Sequence, residues 1–323
     1  MLSVGRVPDQ CEEVSEAGRM GIKRIIDNPG MYFIMAIGKV LPDTVGADRF
    51  YLKLLYKNRM KKKLNLDNPT TYNEKLQWMK LYNRNPDYTM MVDKYAVKDY
   101  VRERLGEEYI IPTLGVWDRF DDIDFDKLLD QFVLKCTHDS GGLVICTDKS
   151  KLDIENARKK INHALKRKYY LNTREWPYKD VKPRIIAEEY MVDESGYELK
   201  DYKFFVFDGV MQAMFIATDR TAKTETCFDF FDRDFKHLPF TNGHPNTTHE
   251  IKKPENYEEM IAVAEKLGKG IPQARIDLYN INGKIYFGEI TFFHWSGFKP
   301  FVPEEWDNKF GSWIELPKRK ESV

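Results

Sequence analysis

Apolar residues recur at helical spacing in the early part of the chain. Residues 51–56 and 74–81 both have this period, which is typical of helices packed on one face. Residues 67–71 combine Asp, Asn, Pro and two Thr, the residue types that end one helix and begin the next. Residues 94–105 repeat the helical period, and the glycine that follows is expected to end that helix. We therefore predict a mainly helical region over residues 1–90.

Beyond this region, short apolar runs predict strands and longer periodic segments predict helices. The strand runs lie at residues 132–137, 143–146, 184–187, 203–207 and 211–218. Residues 154–170 and 257–267 have helical spacing. Asp208-Gly209 separates two of the strand runs, as expected for a tight turn between antiparallel strands. The mixture predicts an α+β fold.

The segment 274–291 predicts a hairpin with an Asn-Gly turn. Arg275 and Asp277 are two residues apart and share one face of the first strand, and Glu289 on the returning strand can lie on that same face. Carboxylates this close repel unless a cation lies between them, and Mg²⁺, which usually carries nucleotide phosphates, is such a cation. Arg275 could neutralise phosphate or acyl-phosphate oxygens. The alternative is a surface salt bridge on an ordinary hairpin.

A lysine, Lys135, interrupts the apolar run at 132–137. Such a lysine costs free energy unless a counter-charge meets it. Ser140, Gly141 and Gly142 follow, and the backbone N–H groups of such a loop can converge on a phosphate. This is not the Walker pattern, because the lysine precedes the glycines and lies on a strand. An ordinary hairpin turn is the alternative interpretation.

A third candidate segment follows the apolar run at 184–187. It consists of Glu188, Glu189, Tyr190 and Met191. Backbone groups here could meet a purine edge, an acidic side chain could meet a ribose, and the methionine could contact a ring face. The alternative is a strand that simply leaves the core.

Composition narrows the classes of protein. Lys plus Arg and Asp plus Glu both number 51, which gives no general attraction to nucleic acid. The four cysteines have no Cys-x-x-Cys spacing, so a reducing cytoplasm is expected. No segment approaches the ~20 apolar residues of a membrane span, and we expect no export signal. Residues 31–41 predict a short packed or interfacial helix. The basic run 59–63 is either a solvated helix end or a contact for an acidic polysaccharide or a lipid-linked intermediate.

Taken in order, these segments resemble the ATP-grasp superfamily. An early lysine, Lys94, is followed by the lysine before the Gly loop, the acidic segment and an Arg-x-Asp…Glu-x-Thr set. Superfamily members usually have Asn where this chain has Thr291. Within the superfamily the chain is similar to the TupA-like ATP-grasp family, through the segments 64–78, 93–95, 134–142, 201–204 and 289–298.

The resemblance implies two α+β lobes that grip ATP after the helical region. The first lobe would span residues 91–185 and contain the Gly-rich loop, and the second would span residues 186–323 and contain the metal site. The acidic segment between them would contact the nucleotide base and ribose.

The resemblance also implies roles for individual residues. Lys94 and Lys135 would hold phosphate oxygens, beneath a cover formed by the backbone of the Gly loop. Arg275 would stabilise the transferring phosphoryl group, with Lys135 as its catalytic partner. Mg²⁺ would be bound by Asp277, Glu289 and Thr291. Lys203 would contact the nucleotide, or it is a lysine at the edge of a strand with its charge in solvent.

Four further residues are substrate candidates: Arg220, Lys223, His138 and Ser296. The ATP-grasp resemblance implies an ATP-dependent carboxylate–amine ligase, and the TupA-like family is associated with bacterial capsule and other surface-polysaccharide synthesis. Its substrates would be a uronic-acid sugar or an acidic peptide, and an amine, with no nucleic-acid partner. Two other functions stay open. A glycosyltransferase could use the Asp-x-Asp motifs at 232–234 or 124–126, and a nucleotide-binding protein without activity would need none of this set intact.

Overall fold

The computed structural model describes residues 29–193, 199–218 and 225–319. The chain divides into two compact units, residues 1–64 and 65–323. The described part of the first unit holds helices α1 (Pro29–Val40) and α2 (Val45–Met60). The Thr44 side chain accepts a hydrogen bond from the Ala47 N–H at 3.2 Å and so caps α2.

The second unit contains helices that the periodicity predicts, together with shorter ones. They are α3 (Tyr72–Tyr82), α4 (Asp87–Val92), α5 (Val97–Arg104), α6 (Ile154–Leu165), α7 (Tyr170–Thr173), α8 (Tyr257–Gly268) and α9 (Glu305–Ser312). Thr71 and Glu74 form a capping box at the start of α3. Two predicted boundaries were wrong: Lys94 lies in a turn before α5, and the predicted helix 154–170 breaks after Leu165.

A four-stranded antiparallel sheet follows the early helices. Its strands are β1 (Thr113–Trp117), β2 (Phe132–Cys136), β3 (Leu143–Cys146) and β4 (Ile185–Glu189), in the order β1-β4-β2-β3. Phe132, Leu134 and Cys136 alternate inward and pack in one core with Ile161 of α6. Because side chains alternate along a strand, Lys135 points to the opposite face of the sheet.

A five-stranded antiparallel sheet forms the rest of the unit. It contains β5 (Asp201–Phe207), β6 (Val210–Thr218), β7 (Cys227–Phe231), β8 (Ala274–Ile281) and β9 (Lys284–Thr291), in the order β7-β6-β5-β8-β9. Asn282 and Gly283 have φ values of 52° and 81°, as the predicted turn requires. Phe204 lies against Tyr257 of α8, and Phe205 on the other face contacts Tyr72 and Phe310. The α+β prediction is confirmed.

Candidate active site

One cavity of the second unit, of about 200 Å³, is lined by charged residues from both sheets and from the start of α5. The cations in its wall are Lys94, Lys98, Lys135 and Lys203, and the carboxylates are Asp139, Glu188, Asp201, Asp277 and Glu289. Apolar side chains, among them Ile110, Leu143 and Phe287, line the rest of the wall. Such a mixture suits a ligand with an apolar ring and a polyanionic end.

The first wall is built on β2 and β4. Glu188 lies opposite Val133 in the strand register, and its two oxygens meet Lys98 at 2.5 Å and Lys135 at 2.6 Å. Burial alone would raise the pKa of Glu188, but Lys135 and Lys98 outweigh it and hold that pKa below its usual range. The predicted lysine and acidic segment therefore meet. Lys98 is a residue of this wall that the sequence motifs did not indicate, and because Lys94 lies in a turn before α5, its spacing from Lys98 gives no helical signal.

The loop between β2 and β3 closes one side of the cavity. The Lys94 Nζ donates to the Asp139 carbonyl at 2.7 Å, and burial lowers the pKa of this lysine. A side chain at Gly142 would lie 2.5 Å from the Cys136 Sγ and 2.7 Å from the Ala164 Cβ, so this glycine allows a close approach. The Cys136 N–H donates to the Gly142 carbonyl. The loop is thus a hairpin connection that also lines the cavity.

The second wall is built on β5, β8 and β9. Arg275 donates two hydrogen bonds of 2.7 Å to Asp277, and its Nη2 also reaches Glu289 at 3.2 Å and Thr291 at 3.0 Å. Lys203 forms an ion pair with Asp277 from the neighbouring strand. The strand register pairs Asp277 with Glu289. The predicted convergence of these charges is present.

The two facing carboxylates differ in their electrostatics. Burial raises the pKa of Asp277 against the effect of Arg275 and Lys203. Burial would also raise the pKa of Glu289, but Lys203, Lys94 and Arg275 lower it to about 2. Burial would lower the pKa of Arg275, but Asp277 and Glu289 raise it well above its usual value. Arg275 therefore stays charged, and Glu289 is ionised at neutral pH.

The oxygen atoms of Asp277, Glu289 and Thr291 are the hard ligands that Mg²⁺ prefers. Within the described residues no group of three or more His, Cys, Asp and Glu is arranged to hold a metal ion. Mg²⁺, however, is commonly bound by one or two carboxylates together with substrate phosphates. The pair at 277 and 289 beside a cavity with four lysines fits that mode of binding.

A buried histidine, His294, forms a hydrogen bond with Arg275. The His294 Nδ1 is 2.8 Å from the Arg275 Nη1, and its Nε2 is 3.0 Å from the Asn242 Oδ1. Burial, reinforced by Arg275 and Lys203, holds the pKa of His294 well below its usual value. A guanidinium can only donate, so Nδ1 accepts and Nε2–H donates to Asn242. No sequence motif indicated His294 or Asn242 as a site residue.

The structure places the other predicted site residues outside the cavity wall or outside the described residues. His138 is 3% exposed and lies near the backbone of Ala164 and Arg167. Glu189 and Tyr190 line a separate surface depression, and Met191 is partly buried. Arg220 and Lys223 lie outside the described residues.

Ser296 is fixed in a strained turn beyond the second wall. Trp295 and Ser296 have φ values of 49° and 55°, a conformation that costs of order 1–3 kcal/mol per non-glycine residue. The Ser296 carbonyl accepts hydrogen bonds from Lys80 at 2.8 Å and from Gln77 at 3.0 Å. Its hydroxyl donates to Glu175 at 2.5 Å. These partners hold a turn that sequence alone would not predict.

Comparisons with known proteins place these features in a family. No curated protein matches the chain. Among solved structures, D-alanine–D-alanine ligase from Bacillus anthracis complexed with ATP is 17% identical to this chain and has a TM-score of 0.36. The aligned part covers 63% of this chain and 54% of the chain of that ligase. The chain thus spans only about half of that ligase. D-cycloserine synthetase DcsG is 16% identical, with coverages of 71% and 70% and a TM-score of 0.40. D-Alanine-D-Alanine Ligase from Helicobacter pylori is 13% identical, with coverages of 78% and 68% and a TM-score of 0.43.

The model of the family described as TupA-like ATPgrasp matches residues 74–315. The match begins within α3 and ends beyond α9, so it includes both sheets and every residue that lines the cavity. It confirms the resemblance that the motifs indicated. The chain belongs to the TupA-like ATP-grasp family.

Proposed function

We propose that the protein is an ATP-dependent ligase that activates a carboxylate as an acyl-phosphate and joins it to an amine. The observation that carries the proposal is the cavity in which four lysines face the Arg275–Asp277–Glu289 cluster. Family membership supports a nucleotide as the occupant of this cavity.

The first wall has more positive than negative charge, and the excess positive charge would attract phosphate. Lys98 and Lys135 share a single carboxylate, Glu188. The side chain of Lys98 is 8% exposed and that of Lys135 is 23% exposed, so Lys135 is the one that can turn to a phosphate while Lys98 stays with Glu188. Lys94 and the backbone of the Gly loop would hold the neighbouring phosphate oxygens.

The second wall would serve the transferred phosphoryl group. Asp277, Glu289 and Thr291 would hold Mg²⁺, which when bound neutralises phosphate charge and aligns the γ-phosphate. Arg275 lies beside these ligands and is held in place by His294. It would stabilise the charge on the transferring group. Lys203 would balance the carboxylates of this wall before the nucleotide arrives.

The proposed reaction has two steps. A carboxylate oxygen of the acceptor attacks the γ-phosphorus, the bond from phosphorus to the bridging oxygen breaks, and ADP leaves. The amine then attacks the acyl carbon, loses a proton, and displaces inorganic phosphate. The site must exclude water, because an acyl-phosphate hydrolyses.

We propose a uronic-acid sugar or an acidic peptide as the carboxylate, in bacterial surface-polysaccharide synthesis in the cytoplasm. The glycosyltransferase alternative has less support, because the Asp-x-Asp carboxylates have local structural partners. Asp232 accepts hydrogen bonds from the backbone of Asp234 and Lys236. Asp124 pairs with Lys127.

The test is a turnover assay with ATP, Mg²⁺, pooled uronic acids and amines. We expect ADP and phosphate as products, and a hydroxamate when hydroxylamine replaces the amine. Glu289→Gln, which removes one metal-binding carboxylate, should lower the rate about 10²-fold or more. AMP as the product, or turnover of a nucleotide sugar without ATP, would contradict the ligase assignment.

A further inference from the structure

The helices of the first unit lie outside the family match, and α1 exposes apolar side chains for which the ligase site gives no reason. Phe33 is 68% exposed, Val40 is 82% exposed, and Tyr32 is 36% exposed. Together with the exposed Ala36 they recur at helical spacing, so they form one face. Lys39 is the only charged residue of α1. A helix that is apolar all round is normally buried on every side, so this face calls for a partner.

The charge of the same unit is strongly unbalanced. Between residues 29 and 63 the chain has eight basic residues, Lys39, Arg49, Lys53, Lys57, Arg59, Lys61, Lys62 and Lys63, and two acidic residues, Asp43 and Asp48. The segment therefore has a formal charge of +6 in a chain whose net charge is zero. On α2, Phe50 is 51% exposed, and the exposed Lys53 and Lys57 follow it at helical spacing on the same face.

The exposed apolar face of α1 and the positive charge of the unit together indicate the kind of partner. A second copy of the chain would bring two surfaces of charge +6 together, because a two-fold contact uses the same patch on both subunits, and like charges oppose it. An anionic lipid bilayer satisfies both the apolar face and the charge.

The length of α1 decides how it would meet the bilayer. Its 12 residues span about 18 Å, which is short of the ~30 Å hydrocarbon core. In the described ranges, no helix is long and apolar enough to cross a membrane. The described length of α1 therefore favours a helix that lies along the surface.

We infer that α1 and α2 bind an anionic membrane surface peripherally, with α1 lying in the interface. Phe33 and Val40 enter the boundary of the acyl chains, and the basic residues of the unit neutralise lipid phosphates. Apolar insertion and basic attraction act together, as stable interfacial binding requires. This binding does not depend on the ligase assignment, since neither helix contributes to the cavity.

The experiment is co-sedimentation of the full-length chain with vesicles of phosphatidylglycerol and phosphatidylethanolamine, compared with vesicles of phosphatidylcholine. We expect binding to the anionic vesicles only, and less of it as salt rises. The double substitution Phe33→Ser/Val40→Ser should weaken binding by at least about tenfold. The double substitution Lys61→Gln/Lys63→Gln should weaken it and reduce its salt dependence.

A matched control changes exposed apolar residues of the other unit. Val210 is 48% exposed and Val302 is 61% exposed, and Val210→Ser/Val302→Ser should leave vesicle binding unchanged. Equal binding to both vesicle types, or no binding, would overturn the inference. So would a dimer in sedimentation equilibrium that Phe33→Ser/Val40→Ser dissociates, because the apolar face would then be a contact between copies.

Discussion

At the scale of single residues, the first wall of the site has two lysines for one buried carboxylate. Lys98 and Lys135 meet at Glu188, and Lys98 also donates to the Ile111 carbonyl at 2.8 Å and to the Thr113 hydroxyl at 2.7 Å. Lys98 is thus fixed by three acceptors. Lys135, with a more exposed side chain, has a hydrogen bond only to Glu188 among the described residues. This difference separates a structural lysine from one that can serve a ligand.

We expect Lys98→Met to destabilise the fold by about 3–5 kcal/mol, because it leaves a buried carboxylate with half its counter-charge. Adding Glu188→Gln should recover part of that loss, since the two residues are coupled. Urea unfolding of the four proteins of this cycle measures the coupling. Lys151→Met, in the exposed pair of Lys151 with Asp148, is the control and should leave the unfolding midpoint unchanged. Simple additivity of the Lys98 and Glu188 substitutions would show that no coupled buried pair exists.

His294 gives a pH dependence whose sign is fixed by its burial. Its pKa is far below the usual value, so between that pKa and about 6.5 the unfolded chain binds a proton that the folded chain does not. Stability is therefore fully present above about pH 6.5 and falls as the pH drops, by up to roughly 1.4 kcal/mol per pH unit.

His294→Gln should remove this contribution while still offering Arg275 an oxygen acceptor. The difference in unfolding free energy between the wild type and this variant should then shrink by about 2 kcal/mol between pH 7 and pH 5. Denaturant titrations at several pH values measure it. His249→Gln, at an exposed position, is the control, and its unfolding free energy should change with pH as that of the wild type does. Parallel curves for His294→Gln as well would mean that His294 is not held neutral.

At the scale of elements, the closing hairpin was predictable and strands β1 and β7 were not. Strands β8 and β9 flank an Asn-Gly turn, so the hairpin itself followed from local pattern. The pairing of Asp277 with Glu289 did not, because a register shift between Asp277 and Leu278 moves Asp277 from a position opposite Gly288 to one opposite Glu289. Strand β1 is half-exposed along most of its length, and β7 has four consecutive buried residues, among them Asp229. Neither strand alternates between buried and exposed residues, so no two-residue period marks it in the sequence. Sequence pattern therefore did not identify them.

The Gly loop and the hairpin turn allow a matched test of two glycines. Gly142→Ala would place a Cβ 2.5 Å from Cys136 and 2.7 Å from Ala164, so we expect about 1–3 kcal/mol of destabilisation and weaker ATP binding as the loop shifts. Gly283 has a φ of 81°, and a Cβ added there would have no heavy atom within 4 Å, so Gly283→Ala should cost about 1 kcal/mol of backbone strain without changing ATP affinity. Thermal unfolding and ATP titration measure both. Equal ATP affinity in the two variants would contradict a role for the loop in binding phosphate.

At the scale of the whole second unit, the site is assembled from segments far apart in sequence. The motifs identified Lys135, Arg275, Asp277 and Glu289, because charged residues are unusual at those strand positions, and the resemblance to the ATP-grasp superfamily added Lys94. They did not identify Lys98, Asn242 or His294. These three act only through tertiary contacts: Lys98 reaches a strand ninety residues later, and Asn242 reaches the turn after β9. A residue that acts through contacts between segments distant in sequence is not marked by any local sequence pattern.

Because the cavity has walls from both sheets, a bound nucleotide should stabilise the unit as a whole. A ligand that binds only the folded state adds about 2.7 kcal/mol at a concentration 100 times its Kd. We therefore expect ATP with Mg²⁺ to raise the unfolding temperature by several degrees, and a UDP-sugar at the same concentration to raise it less. In Glu289→Gln the part of the shift that requires Mg²⁺ should be lost, while the part given by ATP alone remains through the lysines of the first wall. Differential scanning fluorimetry with ATP, ATP with Mg²⁺, and a UDP-sugar separates these contributions. A larger shift with the UDP-sugar than with ATP would show that the cavity is built for a different nucleotide, and the ligase assignment would fall with it.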